Sequence, residues 1–152
     1  MSGNELKYIQ EAFEQNWVAP LGPNVNLFEY RLESFLEGNS FVTAVNSGTA
    51  ALHLALVLLD IKTGDEVICQ TMTFAASAFP IAYLKAKPIF VDSEVDTWNM
   101  CPVTLLQAIK DRISKGKKPK AIIVVHLYGM PAKMDEIIKI AGFMNDSETL
   151  IQ

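Results

Sequence analysis

Short apolar runs alternate with segments of helical periodicity along this chain, and this alternation constrains the fold more strongly than any other feature. Four runs are predicted strands, at residues 41–45, 66–69, 88–91 and 121–125. Each is a nearly continuous apolar stretch, which is typical of a strand covered by helices on both faces. A strand with one solvent-exposed face instead alternates apolar and polar residues. The sequence therefore predicts an α/β fold, with a mostly parallel sheet and helices on both faces.

The segments between these runs carry helical patterns with recognisable ends. Asn26 followed by Glu29 has the spacing of a capping box, which predicts that a helix begins there. The helix predicted over residues 49–59 is apolar nearly all round, which indicates a buried helix. The other predicted helices cover residues 5–16 and 74–84, begin at Pro102, and run from Met134 to Ala141.

Composition excludes several classes of function. The chain has 152 residues, enough for one domain with a hydrophobic core, and a net charge of -4. Nucleic-acid binding needs a cationic surface, and the lysines between 115 and 120 are better explained as a solvated loop. No segment reaches the roughly 18 apolar residues of a membrane span, and no secretory signal opens the chain. Cys69 and Cys101 lack metal-site spacing, so we predict a cytoplasmic protein with free thiols and no metal.

The segment 46–52, Asn-Ser-Gly-Thr-Ala-Ala-Leu, lies where a predicted strand ends and a helix begins. Unpaired backbone N–H groups and the positive end of the helix dipole meet at such a junction and favour a phosphate. Gly48 allows a ligand to approach the backbone closely, and Thr49 adds a hydroxyl donor. A plain helix cap is the alternative, in which Ser47 or Thr49 only satisfies the first turn. These residues alone support the two interpretations equally.

Phe74 follows the second predicted strand. In an open parallel sheet, ligands bind beyond the carboxyl ends of the strands, where an aromatic ring can cover a flat heterocycle. Composition alone favours a core position for Phe74 instead. The glycine fingerprints of dinucleotide and nucleoside-triphosphate sites are absent, which argues against a Rossmann dehydrogenase or a P-loop enzyme.

Taken in order, these motifs resemble those of the DegT/DnrJ/EryC1/StrS aminotransferases. Gly48 and Thr49 stand in a segment similar to the cofactor-phosphate turn of that family, and Phe74 is similar to its ring-stacking residue. The resemblance covers about residues 5–141. The other matching segments are 22–25, 28–29, 64–68, 90–92, 96–100, 125–129 and 132–135.

The resemblance implies part of the large domain of a fold type I pyridoxal-phosphate transferase that works as a homodimer. Such an enzyme moves an amino group, usually from glutamate, to a nucleotide-linked keto-sugar in polysaccharide or glycan precursor synthesis. The resemblance also implies that Gly48 and Thr49 bind the phosphate of pyridoxal 5'-phosphate and that Phe74 stacks on its ring. His126 is better explained as a strand-end histidine than as a catalytic one. Lys85 stands where the family commonly has glycine, which predicts a left-handed residue at a helix end.

The resemblance divides the chain into three regions. Residues 1–24 are expected to form an N-terminal helix and arm, 25–142 a partial cofactor-binding large domain, and 143–152 a polar tail. The family's cofactor-holding lysine, its aspartate beside the pyridine nitrogen and its small domain are expected to be absent, and neither Asp146 nor Glu148 is assigned the aspartate's role. We therefore expect no catalytic residue here, no activity of the chain alone, and weak or absent cofactor binding.

Other interpretations are left open. The chain could be the N-terminal part of a lysine-free sugar dehydratase of the same fold, or a non-catalytic α/β fragment or relic. A flavodoxin-like phosphate binder fits the alternation of strands and helices but not the ordered motifs. The region that separates an aminotransferase from a dehydratase lies outside the matching segments.

Overall fold

The chain folds into two compact units, Met1–Asn46 and Ser47–Gln152. The computed structural model describes residues 2–19, 21–36 and 40–142, together with the backbone of 149–151. Within those ranges, no helix is long and apolar enough to cross a membrane.

The first unit contains two helices. Helix α1 spans Glu5–Glu14, so it begins where the periodicity predicts and ends two residues earlier, and helix α2 spans Pro23–Phe35. A proline is tolerated in the first turn because its missing N–H would have no partner in the helix. The predicted start at Asn26 is therefore wrong, and Gly22 is the residue that precedes the helix.

The segment 41–45 is not a strand, which corrects the prediction made from its apolar run. Two glutamates of α2 instead accept hydrogen bonds from its backbone. Glu33 Oε1 accepts from the Val42 N–H at 2.9 Å, and Glu29 Oε1 accepts from the Ala44 N–H at 2.7 Å. Because carboxylates satisfy alternate N–H groups, the segment does not need a sheet partner for them. Glu29 consequently does not act as a capping-box residue.

The second unit is built on a parallel sheet. In the described part of the chain its strands are β1 (Glu66–Gln70), β2 (Lys87–Val91), β3 (Ala121–Ile123) and β4 (Thr149–Ile151), arranged in the order β2-β1-β3-β4. All three pairings are parallel, which confirms the predicted sheet. Strand β4 lies within the region expected to be a polar tail. It pairs with β3 in a register that sets Ala121 opposite Thr149.

Helices cover both faces of this sheet. They are α3 (Gly48–Leu58), α4 (Phe79–Tyr83), α5 (Pro102–Ser114) and α6 (Met134–Gly142). Val67 of β1 packs with Leu56 of α3 and Ile81 of α4, whereas its neighbour Ile68 packs with residues of α5 and α6. Successive side chains of a strand point to opposite faces. Both faces are therefore apolar, which explains the unbroken apolar runs.

The single helix predicted over residues 74–84 is broken. A turn of 3-10 helix at Ala75–Ser77 precedes α4, which begins at Phe79. Pro80 in the first turn of α4 has no N–H to continue a preceding helix, so the chain starts a new one. The break leaves Phe74 outside both helices, in an extended conformation.

Helix α3 is not buried all round, contrary to the prediction. Leu56 is fully buried, but Val57 and Leu58 are exposed. The apolar composition of α3 therefore serves two surfaces. One faces the sheet, and the described residues of the second unit leave the other uncovered.

Candidate functional site

A cleft of about 630 Å³ lies in the second unit where α3 begins and where β1 and β3 end. Its volume falls within the roughly 300–1,000 Å³ typical of small-molecule sites. Three parts of the chain line it: residues 48–55 of α3, the segment that follows β1, and one residue beyond β3. The lining residues are Gly48, Thr49, Ala51, Leu52, Ala55, Thr73, Phe74, Ala76, Ser77 and Val125.

Ser47 caps helix α3. Its backbone is extended, and its Oγ accepts a hydrogen bond from the Ala50 N–H at 3.2 Å. The Ser47 carbonyl accepts from the Ala51 N–H at 3.0 Å, which starts the helical ladder. The capping function predicted for Ser47 or Thr49 therefore falls to Ser47.

Gly48 and Thr49 retain unused donors at the start of α3. Among the described residues, neither their N–H groups nor the Thr49 hydroxyl makes a hydrogen bond. A Cβ added at Gly48 would meet no atom within 4 Å, so packing does not require glycine there and the space beside the backbone is open. Free N–H groups at the positive end of an 11-residue helix are suited to an anion such as a phosphate.

Phe74 is not a core residue, because 81% of its surface is exposed. This overturns the core position that composition favours. The segment that carries the ring is held by a hydrogen bond of 2.9 Å between Thr73 Oγ1 and Ser77 Oγ. The Ser77 N–H also donates to the Phe74 carbonyl at 3.0 Å. The exposed ring thus lies on a braced segment within the cleft.

Gln70 is a buried polar residue beside the cleft that the sequence analysis missed. It is the last residue of β1 and has no exposed surface. Its Nε2 donates to the Met72 carbonyl at 2.9 Å, and its Oε1 accepts from the Val125 N–H at 3.3 Å. The signal available in the sequence was an amide that directly follows a continuous apolar strand.

His126 follows β3 but does not line the cleft. Its Nδ1 accepts a hydrogen bond from the Ala132 N–H at 3.0 Å. That acceptor role leaves the ring proton on Nε2 in the neutral form. The position agrees with a strand-end histidine that braces a loop.

The lining of the cleft offers groups that suit a flat heterocycle carrying a phosphate. Donors at Gly48 and Thr49 suit the phosphate, Phe74 offers an aromatic face, and Ala51 and Leu52 supply apolar wall. Pyridoxal phosphate has this combination of groups. The residues predicted for phosphate and ring therefore line one cleft, although the positions 48 and 74 are far apart in the sequence.

Comparison with known proteins identifies the family. Residues 1–145 match the DegT/DnrJ/EryC1/StrS aminotransferase family. The chain belongs to this family. Its fold is accordingly confirmed as part of the large domain of a pyridoxal-phosphate-dependent transferase, and pyridoxal phosphate is the cofactor of that family.

Individual relatives of this DegT-family chain include aminotransferases and a dehydratase. It is 56% identical over 140 residues to EpsN of Bacillus subtilis (strain 168), to which a pyridoxal phosphate-dependent aminotransferase activity is ascribed; the match covers 92% of this chain and 36% of EpsN. It is 41% identical over 147 residues to GDP-perosamine synthase of Escherichia coli O157:H7, and this match covers 95% of this chain and 38% of the synthase. The crystal structure of a GDP-4-keto-6-deoxymannose-3-dehydratase with a trapped PLP-glutamate geminal diamine superposes with a TM-score of 0.83 at 26% identity. The superposition covers 99% of this chain and 38% of the dehydratase. The chain thus spans little more than a third of these relatives' length.

Among the described residues of this DegT-family chain, no lysine lines the cleft. Several lysines in the described ranges bind carboxylates elsewhere. Lys133 pairs with Glu94 and Asp96, and Lys120 pairs with Asp65. The described cleft therefore offers backbone N–H groups, hydroxyls, an aromatic ring and apolar surface, but no amine.

Proposed function

We propose that the protein is a pyridoxal-phosphate-dependent sugar aminotransferase and that this chain supplies the phosphate-binding and ring-covering walls of its active site. The observation that carries the proposal is the joint presence of unused donors at Gly48 and Thr49 and an exposed Phe74 in one cleft. Membership of the aminotransferase family supports the same assignment.

The substrate class is proposed from the relatives. GDP-perosamine synthase and the GDP-4-keto-6-deoxymannose dehydratase are both named for GDP-linked sugars, and glutamate is present in the dehydratase structure. We infer a nucleotide-linked keto-sugar as the amino acceptor and glutamate as the donor. The product would serve polysaccharide or glycan precursor synthesis. We further propose a cytoplasmic homodimer, in keeping with the free thiols of Cys69 and Cys101.

Gly48, Thr49 and Phe74 each have a defined role in this proposal. The N–H groups of Gly48 and Thr49 and the Thr49 hydroxyl donate hydrogen bonds to phosphate oxygens, and such charge-assisted bonds are the stronger ones. Phe74 covers one face of the ring, and the small apolar residues of α3 keep water from it. The cofactor, when bound, would supply the carbonyl group that takes up the amino group and the electron-withdrawing ring beside it.

The chain alone is proposed to be inactive. Transamination of this type uses a lysine to hold the cofactor covalently, and no lysine lines the described cleft. The remaining contacts, a phosphate site and one aromatic face, support only weak cofactor binding, on the order of millimolar, near 4 kcal/mol.

A sugar dehydratase is the second candidate function. The dehydratase that superposes with a TM-score of 0.83 has the same fold, so a cleft of this type is compatible with either reaction. The greater identity to EpsN and to GDP-perosamine synthase favours the aminotransferase.

Ligand binding by the apo form of the protein tests the proposed site. Thr49→Val, which removes only the hydroxyl donor, should weaken pyridoxamine phosphate about tenfold and leave phosphate-free pyridoxamine unchanged, since a hydrogen bond to a charged group contributes about 1.5–3 kcal/mol. Phe74→Ala should weaken both ligands several-fold, by about 0.5–1.5 kcal/mol, because both carry the ring. Isothermal titration calorimetry measures both effects.

Ser47→Ala is the matched control for the same helix end. It removes the cap and should lower the free energy of unfolding by about 1 kcal/mol without removing a phosphate donor. If Ser47→Ala weakens pyridoxamine phosphate as much as Thr49→Val does, the hydroxyl of Thr49 has no specific role. Equal effects of Thr49→Val on the two ligands would overturn the phosphate assignment.

A further inference from the structure

Gln70 joins two parts of the chain that lie 55 positions apart. As the last residue of β1 it is fully buried, and both ends of its amide are used. One end binds the carbonyl of Met72 and the other binds the N–H of Val125. A buried amide with both ends satisfied fixes its neighbours, because loss of either bond would leave a polar group unpaired.

Both of these hydrogen bonds act on the walls of the cleft. Val125 lines the cleft directly, and Met72 lies two residues before Phe74 in the segment that follows β1. The hydrogen bond between Thr73 and Ser77 braces the other side of Phe74. The Phe74 segment is therefore anchored on both sides of an aromatic ring that has little packing of its own.

We propose that Gln70 is a positioning residue of the cofactor cleft. It holds the Phe74 segment against the end of β3 and so sets where the ring stands relative to the donors of Gly48 and Thr49. Gln70 does not line the cleft and would act on a ligand only through Phe74 and Val125. This inference rests on the proposed function, because it assumes that Phe74 covers the ring of a phosphate-bearing ligand.

Asn99 provides a matched control within the same unit. It is also a fully buried amide, and it also joins distant segments. Its Oδ1 accepts from the Leu127 N–H at 2.8 Å, and its Nδ2 donates to the Met130 carbonyl at 2.8 Å. Neither partner lines the cleft. Loss of Asn99 should therefore affect stability without moving the Phe74 ring.

The test is a double-mutant cycle on the apo form of the protein, titrated with pyridoxamine phosphate and separately with inorganic phosphate. Gln70→Met should weaken pyridoxamine phosphate about tenfold and change inorganic phosphate by less than about twofold. In a Phe74→Ala background, Gln70→Met should have little further effect, because contacts that act through one residue are not additive. Asn99→Leu should leave both ligands within about twofold of wild type.

Hydrogen exchange of the unmodified apo protein gives a readout that needs neither a ligand nor a folded variant. The Val125 N–H should be protected, although it lies beyond the last residue of β3, because Gln70 binds it. Exchange at the rate of an unbonded amide would overturn the anchor. The proposal would also be overturned if Gln70→Met weakened the binding of both ligands equally or weakened neither. It would likewise be overturned if Gln70→Met weakened pyridoxamine phosphate binding as much in the Phe74→Ala background as in wild type. If wild type binds pyridoxamine phosphate no better than phosphate, the proposed function itself fails and the inference falls with it.

Discussion

Left-handed residues end four of the helices, and they differ in how well they suit that conformation. They are Asn16, Asp60, Lys85 and Gly116, with φ between 55° and 69°. In each case the following N–H donates to the carbonyl five residues earlier, as the Ala86 N–H does to the Ile81 carbonyl at 3.1 Å. This is the Schellman arrangement, in which glycine is unstrained and Asn or Asp is tolerated. The left-handed conformation predicted at Lys85 is therefore confirmed. It is strained, because lysine has a Cβ and lacks the short polar side chain of Asn or Asp.

Lys85→Gly should stabilise the protein. The substitution removes the clash of a Cβ in the left-handed region and should raise the free energy of unfolding by about 1 kcal/mol. Chemical denaturation of the two proteins measures the difference. Lys110→Gly, at an exposed position inside α5, is the control and should lower stability by about 1 kcal/mol, because glycine is a poor residue in a helix interior. A loss of stability in Lys85→Gly would show that the lysine side chain, not its backbone, matters at this turn.

At the scale of elements, an ion cluster ties the connection between β2 and α5 to the start of α6. Glu94 binds the Thr97 hydroxyl and the Asp96 N–H, and Lys133, next to α6, lies 3.1 Å from Glu94 Oε2. The Thr97 hydroxyl, the Asp96 N–H and the Lys133 ammonium together lower the pKa of Glu94 to about 2, against the effect of burial. The two carboxylates raise the pKa of Lys133 above its usual range, Asp96 more than Glu94. The connection is therefore fastened by a charged carboxylate.

This cluster makes stability depend on acid pH. Because the folded pKa of Glu94 lies below the ordinary value of 4.5, its contribution is complete above about pH 4.5 and is lost as pH falls to about 2. Glu94→Gln should therefore be less stable than wild type at pH 7, and the difference should shrink between pH 4.5 and 2. Denaturant unfolding at a series of pH values measures this.

Glu14→Gln is the control for that pH series, because Glu14 is exposed at the end of α1 and far along the chain from the cluster. Its stability should follow that of wild type at every pH. A constant gap between Glu94→Gln and wild type down to pH 2 would mean that the charge of Glu94 contributes nothing.

At the scale of the whole molecule, the chain presents much apolar surface and spans little more than a third of its relatives. In the second unit, Leu58 is 77% exposed and Tyr128 98% exposed, and both are large side chains. The three residues proposed to contact the phosphate and the ring, Gly48, Thr49 and Phe74, line one cleft in this unit.

The 152-residue chain by itself should not catalyse transamination. Incubation with pyridoxal phosphate, glutamate and a panel of nucleotide-linked keto-sugars should produce no 2-oxoglutarate above a boiled sample, because the described cleft contains no lysine. Borohydride treatment with the cofactor should label no single lysine stoichiometrically. The GDP-perosamine synthase of Escherichia coli O157:H7, assayed in parallel with its own substrate, is the positive control. One uniquely labelled lysine, or turnover by the chain alone, would show that another amine takes the cofactor.

Features that depend on residues close together in the sequence could be predicted without the structure. Three of the four unbroken apolar runs correctly predicted strands of a sheet covered on both faces. The order of the motifs identified the family and indicated Gly48, Thr49 and Phe74 as site candidates. The helix end at Lys85 could also be predicted, because a Schellman turn involves six consecutive residues. Periodicity located α1 in the same way, since it reflects a single amphipathic face.

Where several groups could chemically take the same role, the folded structure is needed to show which of them takes it. Ser47 and Thr49 are both good caps, and only the fold shows that Ser47 takes that role and leaves the Thr49 hydroxyl unused. The run at 41–45 predicts a strand, but two carboxylates of α2 bind its backbone instead, and these partners cannot be read from its own composition. Gln70 was missed for the same reason: its partner Val125 is 55 positions away, and which polar groups meet across that distance depends on the packing of β1 beside β3.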